Sequence, residues 1–356
     1  MPGRSSGSRR VDAAVYVVVC GTVALLLVEG LVRVLDLAPR LPTQYVHYVA
    51  DPILTHRPRP DSVLEGRSAT DEFDFRYEHN GRGFRGREIA VPKPDGTFRI
   101  LGLGDSFTYG AGAADDEIYL ARLERRLNER GGAHPEVEVV NAGIPRFFPE
   151  TERLLLEIEG PELEPDLVLV GFVPNDVIDT HLGVEGVQLL PDGRLVSNHG
   201  ARLLAQLGPL ALTLYHHVHA LRIPVRAYLS RQVSDDKPVR PDEIERANGF
   251  HEDDWLEVEA QYARMVEVAR GLGAPLVIVH LPRIGPWGEG ASYPAERLRA
   301  FAEAHGAYFV DALPAMRAQA DPDALFWPLD FHPTPAAHAV FADVVFEGLA
   351  QWNLVP

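Results

Sequence analysis

The longest apolar stretch lies near the N-terminus. Ala13 to Val28 is a 16-residue run without a charge, and it resumes after Glu29-Gly30 as Leu31, Val32, Val34 and Leu35. A buried amphipathic helix would repeat polar positions every third or fourth residue, and this run does not. A spanning helix needs about 20 apolar residues, and Glu29 and Arg33, four apart, can pair and reach the far interface. Residues 12–36 therefore read as a single transmembrane anchor behind a cytoplasmic tail, 1–11. Arg4, Arg9 and Arg10 precede it, which favours an N-terminus inside and the remainder extracytoplasmic. No small-x-small cleavage site precedes Pro39, which argues against a removed signal peptide.

After the anchor the period changes. Residues 37–96 read as a linker, rich in Pro and polar residues over 38–62, and a small β hairpin. In that hairpin Phe73, Phe75 and Tyr77 alternate with polar partners, and Asn80-Gly81 and Gly83 supply a turn. From Phe98 strands and helices alternate. Strands are expected at 99–103, 137–140, 166–172, 275–281 and 307–310. The helices between them are expected at 117–130, 151–159, 254–271 and 294–304, with a closing helix at 336–351. Asp166 to Phe172 is almost wholly apolar, as a strand covered on both faces should be. Such alternation predicts a parallel, doubly wound α/β sheet of five strands over 97–353. Thr334 is the expected N-cap of the closing helix, with Pro335 at its first position. Residues 180–253 fit no strand-helix unit and read as an insertion or lid.

Charge narrows the partners. The formal net charge is −17; the first 40 residues hold five Arg against three acids, so the remainder carries −19. Such a surface repels nucleic acid. Cys20 is the one cysteine, so no internal disulfide or Cys-based zinc site is available. Val19 stands before it where a lipid-acylation motif takes a small residue, which argues against that modification.

In open α/β sheets ligands gather at the carboxyl ends of strands. Four short blocks follow four of the expected strands: Gly104-Asp105-Ser106, Asn141-Ala142-Gly143, Pro174-Asn175-Asp176 and Asp330-Phe331-His332. Together they hold the parts of an acyl-transfer site. A Ser hydroxyl needs a base to take its proton; His332 is the candidate base, and Asp330 can orient its imidazole. The N–H groups of Ser106 and Gly143 and the amide of Asn175 can face an oxyanion. Gly143 would leave room for the substrate oxygen. Asp105 and Asp176 read as loop supports.

The order GDSFTYG, NAG, GFVPND and DFHPT resembles the SGNH hydrolases, or GDSL esterase/lipase superfamily, over about residues 97–350. The resemblance implies a flavodoxin-like three-layer α/β/α sandwich, with Ser106, Gly143, Asn175 and His332 as the four name-giving residues. Many members place the acid three residues before the His, where this chain has Leu329; the acid here is Asp330, two before. That spacing resembles membrane-bound and polysaccharide-modifying branches of the superfamily, and the segment Asn80 to Arg85 (NGRGFR) and the anchor also resemble the membrane-bound group. The expected function is an extracytoplasmic serine esterase acting on an ester-containing small molecule, lipid or glycan. The alternatives are an O-acetyltransferase or acetylesterase of envelope polysaccharide, and a non-catalytic glycan- or lipid-binding protein. No cofactor or metal is implied, and the oligomeric state is not legible.

Other residues read as structural. His338 falls on the closing helix. His216, His217 and His219 lack the i, i+4 spacing of helical metal ligands. His280 ends the fourth strand on the functional edge, where lining a pocket is a further possibility. Gly110-Ala111-Gly112 lacks the Lys-Ser/Thr of a phosphate loop.

Overall fold

The computed structural model describes residues 6–38, 46–130, 136–184, 187–189, 195–197, 209–225, 227, 252–285, 287 and 292–356. The chain divides into two compact units, one of residues 1–41 and 198–238 and one of 42–197 and 239–356.

In the first unit, helix α1 (Ser6–Val34) contains a span, Val15–Val34, with a mean hydropathy of 2.4. It is long and apolar enough to cross a membrane. Glu29 and Arg33 pair at 2.6 Å, as their spacing suggests. Glu29 also accepts the N–H groups of His219 (2.9 Å) and Ala220 (2.8 Å), and Arg33 donates to the carbonyl of His217 (2.6 Å). These bonds tie α1 to the last residue of helix α6 (Pro209–His217) and to the segment following it.

The second unit is built on a parallel sheet of β5 (Thr97–Gly104), β6 (Glu136–Asn141), β7 (Leu167–Phe172), β10 (Leu276–His280) and β11 (Tyr308–Asp311), in the order β11-β10-β7-β5-β6. This is the flavodoxin order, with Gly104-Asp105-Ser106 at the switch point where the strand order reverses. Strand side chains alternate between faces, and both faces are covered. Leu101, Leu103, Val168, Val170 and Ile278 pack against α4 (Pro149–Leu163), α7 (Glu252–Gly271) and α8 (Tyr293–His305). Ile100, Leu167, Leu169, Val277 and Val279 pack against α3 (Tyr119–Asn128), α9 (Leu313–Arg317) and α10 (Pro335–Gln351). All six residues of β7 are buried, which explains its unbroken apolar run.

Before the sheet, two antiparallel hairpins replace the expected linker and single hairpin. β1 (Tyr48–Asp51) pairs with β2 (Thr55–Pro58). Asp51 turns the chain by accepting the N–H groups of Ile53 and Leu54, and His56 is buried against the carbonyl of Pro145. Tyr48 and Leu54 join the core through tertiary contacts that polar composition conceals. β3 (Ser62–Arg67) pairs with β4 (Asp74–His79), so the partner of the alternating strand lies upstream of it. The Asn80-Gly81 turn instead folds Phe84 back onto Asn80, whose Oδ1 accepts the N–H groups of Arg82 and Phe84.

The stretch read as one insertion is divided. Helix α5 (Asn175–Leu182) runs into it. A hairpin of β8 (Val187–Leu189) and β9 (Leu195–Ser197) stays in the second unit, while residues 209–225 belong to the first. The leucines that give this stretch its apolar helical pattern are Leu203, Leu204, Leu207, Leu210 and Leu214, of which the first three lie outside the described residues.

Candidate active site

Four loops at the carboxyl edge of the sheet bring the expected residues together. β5 ends at Gly104, whose φ of +147° only glycine adopts readily. Asp105 then caps the short helix α2 (Ser106–Tyr109), its Oδ1 accepting the Phe107 N–H at 2.8 Å. Ser106 thus heads a helix, where first-turn N–H groups have no partner four residues earlier.

Space for α2 comes from glycines. A Cβ on Gly143 would stand 2.4 Å from the Tyr109 nitrogen, and one on Gly171 would stand 2.4 Å from Thr108 Oγ1. Gly143 is therefore required by the close approach of α2, a constraint distinct from the substrate access expected of it. The other end of α2 is held by Arg85, from the NGRGFR segment. Its fully buried guanidinium lies 3.9 Å over the Tyr77 ring, donates to the carbonyls of Tyr109, Gly110 and Ala113, and pairs with Asp115 at 2.7 Å. These bonds satisfy the orphan carbonyls at a helix end.

Ser106 Oγ lies 2.9 Å from His332 Nε2, and His332 Nδ1 lies 2.5 Å from Asp330 Oδ1. Asp330 reaches the imidazole from two residues away because Phe331 between them adopts a left-handed backbone, φ +68°. The Phe331 N–H donates to the Trp327 carbonyl (2.8 Å) and the Trp327 N–H to the His332 carbonyl (2.9 Å), closing a tight loop.

Two of the three expected oxyanion donors are engaged by other groups. Gly143 N–H donates to Asn141 Oδ1 at 3.1 Å. Asn175 Nδ2 donates to Asp105 Oδ2 at 3.0 Å and Asp179 Oδ2 at 3.3 Å. Beneath them lies a buried acidic group. Burial pushes the carboxyls of Asp105 and Asp179 above their ordinary range, and those of Asp176 and Glu152 well above it, aided by their neighbouring carboxylates. Asp176 Oδ2 accepts the Val173 N–H at 2.9 Å. Its Oδ1 and both Glu152 oxygens have no hydrogen-bond partner among the described residues. Asp105 and Asp176 hold the backbone of their loops.

Several residues sit elsewhere. His280 is buried and bonded to Asp311 at 2.9 Å, so it lines no open pocket. His338 is fully buried against Tyr119, and burial pulls its pKa down to about 3. Thr334 occupies the N-cap position of α10, but its hydroxyl donates to the Leu325 carbonyl and caps nothing. Among the described residues no group of three His, Cys, Asp or Glu side chains is arranged to hold a metal ion; the His216 side chain lies outside the described residues.

A doubly wound sheet with a Ser, a His and an Asn converging at its carboxyl edge defines an SGNH-type hydrolase. The GDSL-like Lipase/Acylhydrolase family matches residues 103–340, about two thirds of the chain, and the chain belongs to that family of ester-cleaving hydrolases. No curated protein matches. Similar solved structures include TesA (16% identity, covering 71% of this chain and 98% of that one, TM-score 0.45). The esterase EstA from Pseudoalteromonas sp. is similar at 14% identity, covering 72% and 98%, with a TM-score of 0.42. The acetylxylan esterase Axe2 from Geobacillus stearothermophilus is similar at 16% identity, covering 74% and 96%, with a TM-score of 0.40.

Proposed function

We propose that this chain is a membrane-anchored serine esterase in which Ser106 is the nucleophile, His332 the base and acid, and Asp330 the orienting carboxylate. The observation that carries the reading is the pair of successive hydrogen bonds from Ser106 Oγ through His332 to Asp330. Ser106 Oγ attacks the ester carbonyl carbon while Nε2 takes its proton. Asp330 keeps the Nδ1 proton in place and stabilises the imidazolium. The carbonyl oxygen becomes an oxyanion held by Ser106 N–H and Asn175 Nδ2. Gly143 N–H joins by exchanging Asn141 Oδ1 for that oxygen. Asn175 Nδ2 likewise gives up one of its bonds to Asp105 and Asp179 to face the oxyanion, where the donated hydrogen bonds stabilise the developing charge. The intermediate collapses, and His332 Nε2–H protonates the departing alcohol. Water then attacks the acyl-enzyme with the same base, releasing the acid and restoring Ser106.

In this reading α1 anchors the chain with its N-terminus inside and Ser106 on the outer side, supported by the apolar span and the basic residues before it. A fluorophosphonate probe tests the chemistry. The wild type is expected to label and Ser106→Ala not to; equal labelling and equal p-nitrophenyl acetate hydrolysis by the two would end the reading. Protease added to intact spheroplasts tests the topology: the second unit is expected to be digested, and its protection would reverse the orientation.

A further inference from the structure

We propose that Glu72, in the turn between β3 and β4, is a positioning residue for the Asp330–His332 pair; this rests on the catalytic reading of that pair. Glu72 Oε1 accepts the Leu329 N–H at 2.9 Å and Oε2 accepts the Asp330 N–H at 2.8 Å. One carboxylate therefore grips two consecutive backbone donors, the second belonging to the acid itself. Hydrogen bonds to a charged acceptor are the stronger kind.

The loop needs an external hold. Its two apolar side chains do not anchor it, since Leu329 is 58% exposed and Phe331 is 56% exposed. Phe331 is left-handed, a conformation that a bulky residue keeps only when its surroundings enforce it. Were Phe331 to relax to an ordinary φ, Asp330 would swing from the imidazole, because the acid stands only two residues away. Trp327 and His332 close the loop at its ends. Glu72 acts between them, on the side carrying the acid.

Glu72 is itself held in place. Ser68 Oγ accepts the N–H groups of Glu72 (2.9 Å) and Phe73 (3.3 Å), and the Ser68 N–H donates to the Phe73 carbonyl (2.8 Å). The Phe73 ring lies 4.9 Å from that of Trp327, a second point of contact between the hairpin turn and the loop. Residues 62–79 lie before the family match, which begins at 103. A segment outside the hydrolase fold thus completes the site, and it does so where the acid departs from the commoner three-residue spacing.

The test compares full-length wild type, Glu72→Ala and Glu72→Gln in detergent. Glu72→Ala is expected to lower kcat for p-nitrophenyl acetate by roughly ten- to a hundredfold, the scale of a small misplacement of a reacting group, with KM little changed. Glu72→Gln keeps one acceptor oxygen and is expected to fall between the two. The far-downfield proton resonance of the short His332–Asp330 hydrogen bond, observable without turnover, is expected to weaken in the same order. Wild-type kcat and an unshifted resonance in Glu72→Ala would overturn the proposal. So would a loss of kcat that follows thermal stability and that Glu72→Gln does not relieve. Failure of the catalytic reading is a separate result: Ser106→Ala would then hydrolyse like the wild type, while the resonance would still report on the loop.

Discussion

The proposed nucleophile and the proposed base are seated by opposite means. Ser106 stands on α2, wedged among strand ends of the sheet, with glycines making room for it and Arg85 holding its far end. His332 and Asp330 stand on an irregular loop with exposed apolar side chains, a left-handed Phe331 and a hold supplied by a distant hairpin. The first seat is made by core packing, which resists displacement because interiors are dense. The second is made by a few directional hydrogen bonds, and losing one of these shifts geometry before it unfolds anything. Damage to the first seat should therefore register as lost stability, and damage to the second as lost turnover.

The largest expected effect comes from the proposed nucleophile itself. Ser106→Ala should lower kcat by roughly 10⁶-fold with the fold intact, read by p-nitrophenyl ester hydrolysis beside circular dichroism. Asp330→Asn, which offers the imidazole the wrong partner, should lower kcat by roughly 10⁴-fold and leave the unfolding midpoint in place. A fall in stability there instead would erase the contrast between the seats.

Arg85→Ala tests the first seat. It removes a buried cation from three carbonyls and an aspartate and should destabilise by about 3–5 kcal/mol in urea unfolding. If it lowers kcat and spares stability, α2 is not held by packing in the way described.

The smallest effect concerns Glu152, buried below Asp105. Its folded pKa is raised by burial, so the folded state keeps a proton that the unfolded chain releases near pH 4. That contribution to stability is complete below the unfolded pKa and is lost as pH rises through the folded value. Glu152→Gln should therefore lose less unfolding midpoint than the wild type as pH is raised from about 4, where the unfolded carboxyl begins to ionise. Parallel curves would contradict a neutral buried carboxyl. Acid acts in the other direction on the hairpins. Burial lowers His56 to about 4 and His79 to about 4, so their contribution is present above about pH 6.5 and is lost as pH falls towards 4.

The chain by itself determined the alternation of strands and helices and the order of the four blocks at their ends. A parallel strand buried on both faces must be apolar throughout, as in Leu167–Phe172, and it leaves a local signature. The i, i+4 pair Glu29–Arg33 needed only helical geometry. Only the tertiary structure decided what depends on distant partners. Gly143 is glycine because α2 passes 2.4 Å from where its Cβ would lie, Thr334 turns to Leu325 instead of capping, and residues 48–58 form strands because Tyr48, Leu54 and His56 find a core. The spacing Asp330-Phe331-His332 was visible as letters. Its meaning rests on the sign of one φ and on a carboxylate 258 positions away from the acid. Backbone handedness and long-range hydrogen bonds are settled by the balance of the whole fold, and a local pattern carries no record of them.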